Sequence, residues 1–96
     1  MPGFRVSKAA RDDIRGIGLY TQQIWGVAQR RRYLTGLNER FGDLAENPRQ
    51  AAERHEFTPT VRILRFQSHL IVYVAEEDGV LIVRVLHESM DVPAHL

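Results

Sequence analysis

Cysteine is absent from the 96-residue chain, so neither a disulfide framework nor a thiolate metal site is available and the hydrophobic core must carry the stability. No apolar stretch approaches the roughly 20 residues of a membrane-spanning helix. The opening Met1-Pro2-Gly3-Phe4-Arg5 also lacks the apolar centre of a secretory signal. A soluble, cytoplasmic protein is expected. A strong charge bias is missing too: 13 basic and 12 acidic residues leave a net charge of +1, far from the positive excess of a dedicated nucleic-acid binder. That balance conceals a split, with nine basic and five acidic residues in positions 1–50 (+4) and four and seven in positions 51–96 (−3). There is no Gly-rich phosphate loop, no His-Glu-x-x-His, no nucleophile elbow and no carboxylate cluster at metal-ligand spacing. Most enzyme classes are thereby removed, and neither a metal nor a cofactor is expected.

What is present is ordinary globular composition, 44% hydrophobic and 26% charged, and a length that fits one domain over residues 1–96. The stretch Val80 to Leu86 is apolar but for Arg84 and rich in β-branched residues. It reads as a strand buried on both faces, inside a sheet, with His87 and Glu88 where it surfaces. Ahead of it, Phe4-Arg5-Val6 alternates as a short first strand, and Ser7 is a helix N-cap. Ile14, Ile17, Tyr20 or Thr21, Ile24 and Trp25 follow at helical spacing. Gly16 and Gly18 lie within this helix, where each costs up to about 1 kcal/mol relative to alanine, and Gly26 ends it. A second helix places Val27, Arg30, Leu34, Leu37, Phe41 and Leu44 on one side and stops at Asn47-Pro48. So short a connection makes the two helices an antiparallel hairpin.

Residues 49–60 show no period and read as a loop or short helical turn. Val61 to Phe66, His69 to Ala75 and the Val80 stretch then form an antiparallel meander, turning at Gln67-Ser68 and at Asp78-Gly79. The terminal Val92 to Leu96 is expected to pack back through Leu96. The fold class is α+β in the order β-α-α-β-β-β, with the hairpin on one face of the sheet and the other face partly open.

The residues left for chemistry are Arg62, Arg65 and Arg84 with His69, His87 and Glu88. Metal-free RNA cleavage needs a base, an acid and cations on the phosphate. Arg65 and Arg84 fit the cation role and His87 the proton transfer. The ordinary alternative is that the strand arginines lie along the sheet with their heads on carboxylates such as Glu56 or Glu88, and that the histidines are hydrogen-bonded surface groups.

Trp25-Gly26-Val27-Ala28-Gln29 before Tyr33-Leu34, Leu44-Ala45-Glu46-Asn47-Pro48-Arg49, His69-Leu70-Ile71-Val72-Tyr73 and Val83-Arg84-Val85-Leu86-His87-Glu88-Ser89-Met90-Asp91 together resemble the ParE toxins of the ParE/RelE superfamily. The resemblance covers nearly the whole chain in order. It implies the toxin of a type II toxin-antitoxin pair, a non-enzymatic inhibitor of DNA gyrase that blocks replication. It also implies neutralisation by direct binding of a ParD-like antitoxin, through which any DNA contact would be indirect. The antitoxin surface is then expected on the hairpin, at Ile14, Ile17, Trp25, Leu34, Leu37 and Phe41. The superfamily's other branch implies a ribosome-dependent mRNA endoribonuclease of the RelE type, acting through Arg65, Arg84 and His87. Glu88 stands where some of those ribonucleases carry a tyrosine, and a carboxylate there repels phosphate.

Overall fold

A computed structural model describes residues 3–96. Strand β1 (Gly3–Val6) runs into helix α1 (Lys8–Trp25), and helix α2 (Val27–Glu46) follows one residue later. Strands β2 (Glu53–Arg54), β3 (Val61–Phe66), β4 (His69–Glu76) and β5 (Gly79–His87) complete a five-stranded sheet in the order β1-β5-β4-β3-β2. The pairing is antiparallel except for β1, which lies parallel to β5 with Phe4 opposite Val80. The expected order of elements is therefore present, and β5 lies inside the sheet as its composition implies.

Local chemistry accounts for the joints. The Ser7 hydroxyl accepts from the Ala10 N–H (3.0 Å), capping α1, and donates to the Val83 carbonyl (2.7 Å), so one side chain starts the helix and ties it to β5. Gly26 takes φ 92° between the helices while its N–H closes the last turn onto Gln22, a conformation that costs a glycine little. Gly79 stands at φ 129° with the Gly3 carbonyl so near that a Cβ would come within 1.7 Å of its oxygen. The β4–β5 turn thus needs glycine both for its dihedral angle and to admit β1.

The main core lies between hairpin and sheet, where Leu37, Phe41 and Leu44 of α2 meet Ile71, Tyr73, Val80 and Ile82. Gly18 lets the helices close up, since a Cβ there would lie 3.1 Å from Arg30 Nε and 3.2 Å from Leu34 Cδ1. Gly16 has open space around its Cβ position and is simply tolerated by the packing.

One expectation needs correction. The stretch read as a loop or helical turn contains a 3₁₀ turn at Pro48–Gln50 and the two-residue edge strand β2. Arg62 holds it there by donating to the Ala51 carbonyl and to Glu53, and a strand of two residues has no periodicity to read. The face opposite the helices is partly open, as expected, with Ile63, Leu70, Val74 and Val83 only partly buried. Val61, Val72 and Leu86 form a second core there, covered by Phe57, Val92 and, as anticipated, Leu96.

Candidate functional site

Between the outer half of the hairpin and the end of the sheet where β3, β4 and β5 surface lies an open groove of about 1070 Å³. α1 contributes Gly16, Ile17 and Tyr20, the hairpin tip Trp25, α2 Arg32 and Tyr33, and the sheet end His69, Val85 and His87. The mouth is apolar. Trp25 is 70% exposed, and Tyr20 and Met90 are exposed beside it.

The sheet end is polar, and a β-bulge builds it. β4 and β5 pair in simple register until Tyr73 faces Ile82, but Val72 then faces Arg84, leaving Val83 as the extra residue. Past this point the faces of β5 exchange, so Val85 and His87 turn toward the helices and His69 comes to oppose His87. The two imidazole rings meet edge to face, centroids 5.5 Å apart and planes at 89°. Tyr33 of α2 closes the cluster, its hydroxyl hydrogen-bonded to His69 Nδ1 and its ring tilted on Phe66. Burial lowers the His69 pKa from its ordinary value, with His87 adding to the effect and Glu88 opposing it. Burial also raises the Tyr33 phenol, against which the Ser68 hydroxyl works. Both groups are therefore held neutral, and with the Ser68 hydroxyl already bonded to the phenol oxygen, the phenol O–H is assigned as donor to His69 Nδ1. In His87, Nδ1 accepts the Ser89 backbone N–H (3.1 Å) and pairs with its hydroxyl (2.7 Å), which puts the proton of the neutral ring on Nε2.

The three residues expected to act on phosphate do not share a free surface. Arg84 is bound bidentately by Asp13 of α1, both bonds at 2.8 Å, and donates to the His95 carbonyl at 2.7 Å. Its pKa is raised, first by that hydrogen bonding to Asp13. Asp13 also accepts the Val85 N–H at 3.0 Å, taking the edge of β5 where β1 has already ended. Arg65 pairs with Glu88 at 2.6 Å and donates to the Gln67 carbonyl. Only His87 opens to the groove.

The six residues expected to face an antitoxin also divide. Leu37 and Phe41 are 1% and 2% exposed. They drop out as contacts because their side chains fill the core against the sheet. Ile14 packs against that core, and Leu34 lines a separate small hollow with Val27 and Arg30. Ile17 and Trp25 line the groove. The sequence reading missed Tyr33 and Asp13 as partners of a histidine and an arginine. Tyr33 sits one residue after the arginine triplet, on the turn of α2 that Gly36 and Leu37 continue toward the sheet, and that phasing is the one signal for it.

Among the described residues no group of three or more His, Cys, Asp or Glu is placed to hold a metal ion, and no helix is long and apolar enough to cross a membrane.

Residues 4–92 match the sequence profile of a family described as ParE toxin of type II toxin-antitoxin system, parDE. Toxin ParE of Escherichia coli is 32% identical over 97 residues, covering 100% of this chain and 94% of its own. Toxin ParE1 of Caulobacter vibrioides is 33% identical over 96 residues, covering 100% and 99%. Toxin ParE1 of Mycobacterium tuberculosis is 35% identical over 94 residues, covering 97% and 96%. A solved structure described as the chromosomal ParDE TA system from P. aeruginosa superposes with a TM-score of 0.76 at 18% identity, over 91% of this chain and 96% of that one. At that identity the likeness speaks for the fold.

Proposed function

The chain belongs to the ParE family of toxins from type II toxin-antitoxin systems, and on that premise we propose that it acts in the cytoplasm by binding, inhibiting DNA gyrase until a ParD-like antitoxin covers it. The observation that carries the antitoxin half is the groove itself. A concavity of about 1070 Å³ flanked by the exposed Tyr20 and Trp25 suits one face of an amphipathic segment. A segment disordered alone would become ordered along the hairpin and the sheet end, exchanging chain entropy for burial of these side chains. The gyrase half rests on family membership.

Binding is favoured over catalysis by the state of the cations. A phosphodiesterase that works without metal needs arginines at the reacting phosphate, whereas Arg84 is held by Asp13 and neither it nor Arg65, paired at the surface with Glu88, lines the groove beside His87. His87 alone does not supply base, acid and charge stabilisation together.

The test is a supercoiling assay with purified gyrase and relaxed plasmid. The folded protein is expected to inhibit supercoiling, and antitoxin encoded beside it to restore the activity on forming a complex. Folded protein that leaves supercoiling untouched at every workable concentration would remove gyrase as the target. Unchanged hydrogen exchange across residues 8–46 and the sheet on adding antitoxin would remove the groove as its seat.

A further inference from the structure

The polar end of the groove has a definite hydrogen-bonding character that an apolar helix face would leave unused. His69 and His87 each spend Nδ1 on a neighbour, Tyr33 in one case and Ser89 in the other, so each neutral ring carries its proton on Nε2. Among the described residues neither Nε2 has a hydrogen-bond partner; His87 is exposed, and for the half-buried His69 no buried side-chain nitrogen or oxygen is left without one. Both Nε2–H groups therefore reach solvent, one from each of two directly opposed strand positions. They belong to rings whose centroids are 5.5 Å apart, on adjacent strands that both line the groove.

The charges around the groove point the same way. Asp12 and Asp13 line it and Glu88 lies beside it, but each has a cationic partner: Asp13 has Arg84 at 2.8 Å, Glu88 has Arg65 at 2.6 Å, and Asp12 has the exposed Lys8 at 3.6 Å and Arg15 at 3.8 Å. Arg32, which lines the groove, has an uncharged partner, Gln29 Oε1 at 3.0 Å. The site therefore offers two imidazole donors and one uncompensated guanidinium, with Trp25 and Met90 as exposed apolar walls.

We propose, in an extension that rests on the antitoxin-binding reading above, that this groove is a receptor for an acidic side chain. The segment that fills it presents a carboxylate to His69 Nε2, His87 Nε2 and Arg32, with an apolar group beside it against Trp25 and Met90. A carboxylate has acceptor positions for all three donors and gains charge-assisted bonds from them. A neutral amide of the same shape offers one acceptor oxygen, and its N–H₂ gains nothing from these three donors. The carboxylate thus selects which face of an amphipathic partner enters and fixes its register along the hairpin.

The intact protein, labelled with ¹⁵N in its histidine rings and tryptophan indole, tests this by NMR titration with three small probes: 3-phenylpropionate, 3-phenylpropanamide and benzyl phosphate. Fragments of this size bind in the range of about 1–10 mM. The acid is expected to shift the ring signals of His69 and His87 and the Trp25 indole, and to bind at least about fivefold more tightly than the amide, the worth of one good charge-assisted bond across a wet site. In Arg32→Gln and His87→Gln, both at exposed positions, that preference is expected to fall toward unity while the indole still responds. Equal binding of acid and amide would overturn the proposal, as would silence of the histidine rings at about 20 mM probe. Tighter binding of benzyl phosphate than of the acid would also overturn it, because the site would then be a phosphate receptor. Neither gyrase nor antitoxin enters the experiment, so failure here leaves the toxin reading to the supercoiling assay, and failure there leaves the fragment selectivity unaffected.

Discussion

Removing the negative charge of Asp13 is expected to cost about 2–3 kcal/mol of folding stability. Its carboxylate accepts both arms of Arg84 at 2.8 Å and the Val85 N–H at 3.0 Å, and the two side chains are 14% and 21% exposed. At that burial, screening by solvent is small. Each charge-assisted hydrogen bond is worth about 1.5–3 kcal/mol, and a fully buried pair broken on one side costs about 3–5 kcal/mol. Asp13→Asn keeps the shape and one acceptor oxygen but turns an amide toward the guanidinium, and the pair is only partly buried, so about 2–3 kcal/mol, at or just below the foot of that range, applies. Arg84→Met keeps the apolar stem, loses the head and leaves the His95 carbonyl without its donor; about 2 kcal/mol is expected. The double variant should cost less than the two singles together by about 1–2 kcal/mol, the coupling of a directly bonded pair. Urea unfolding followed by circular dichroism, for wild type, both singles and the double, measures all of it. Singles that each cost under about 0.5 kcal/mol, or strict additivity, would refute the view of this pair as the clamp between α1 and β5. If Arg84 acts only through folding, whatever fraction of the double variant is folded should inhibit supercoiling as well as wild type does.

Gly16→Ala is expected to stabilise the protein by about 0.5–1 kcal/mol, since nothing lies within 4 Å of the new Cβ, whereas Gly18→Ala should gain nothing or lose, because that Cβ meets Arg30 at 3.1 Å and Leu34 at 3.2 Å; paired urea midpoints decide it. Ser7→Ala should cost about 1–2 kcal/mol through loss of the cap and of the bond to Val83, read in the same assay. Burial holds the His69 pKa below its ordinary 6.5, so the unfolded chain takes up that proton first. This contribution is whole above about pH 6.5 and is lost as pH falls through 6.5 toward the lower folded value. Stability curves between pH 7 and pH 5 should accordingly fall less steeply in His69→Gln than in wild type.

Much of the fold is legible in the sequence because the physics that makes it is local. Ser7, Gly26 and Asn47-Pro48 mark the helix limits to the residue at which the chain turns, and Asp78-Gly79 marks the hairpin that Gly79 completes. The site is less legible, for two identifiable reasons. Reading back from the Asp78-Gly79 turn in unbroken register would set His69 against Leu86 and turn His87 away from the helices. The single bulged residue Val83 reverses both, and nothing in a run of Val, Leu and Ile says where a bulge falls. The second reason is distance along the chain. Asp13 and Arg84 are 71 residues apart, as are Arg5 and Glu76, and helical or strand periodicity carries no information about partners so remote. Periodicity also marks Leu37 and Phe41 as apolar on one side without saying that the sheet already covers that side.

The parallel pairing of β1 with β5 has a consequence for the order of synthesis. Phe4 leaves the ribosome first and finds its neighbour only when Val80 has been made, at about 5–20 residues per second a wait of several seconds. Until then the helical hairpin has no β5 to cover Ile17 and no Arg84 to anchor Asp13. The groove is incomplete for the same interval, because Val85, His87 and Met90 are among the last of its residues to appear. A nascent or prematurely ended chain therefore lacks the finished groove, and on the binding reading proposed above it would offer an antitoxin no complete seat until β5 and the residues after it are made.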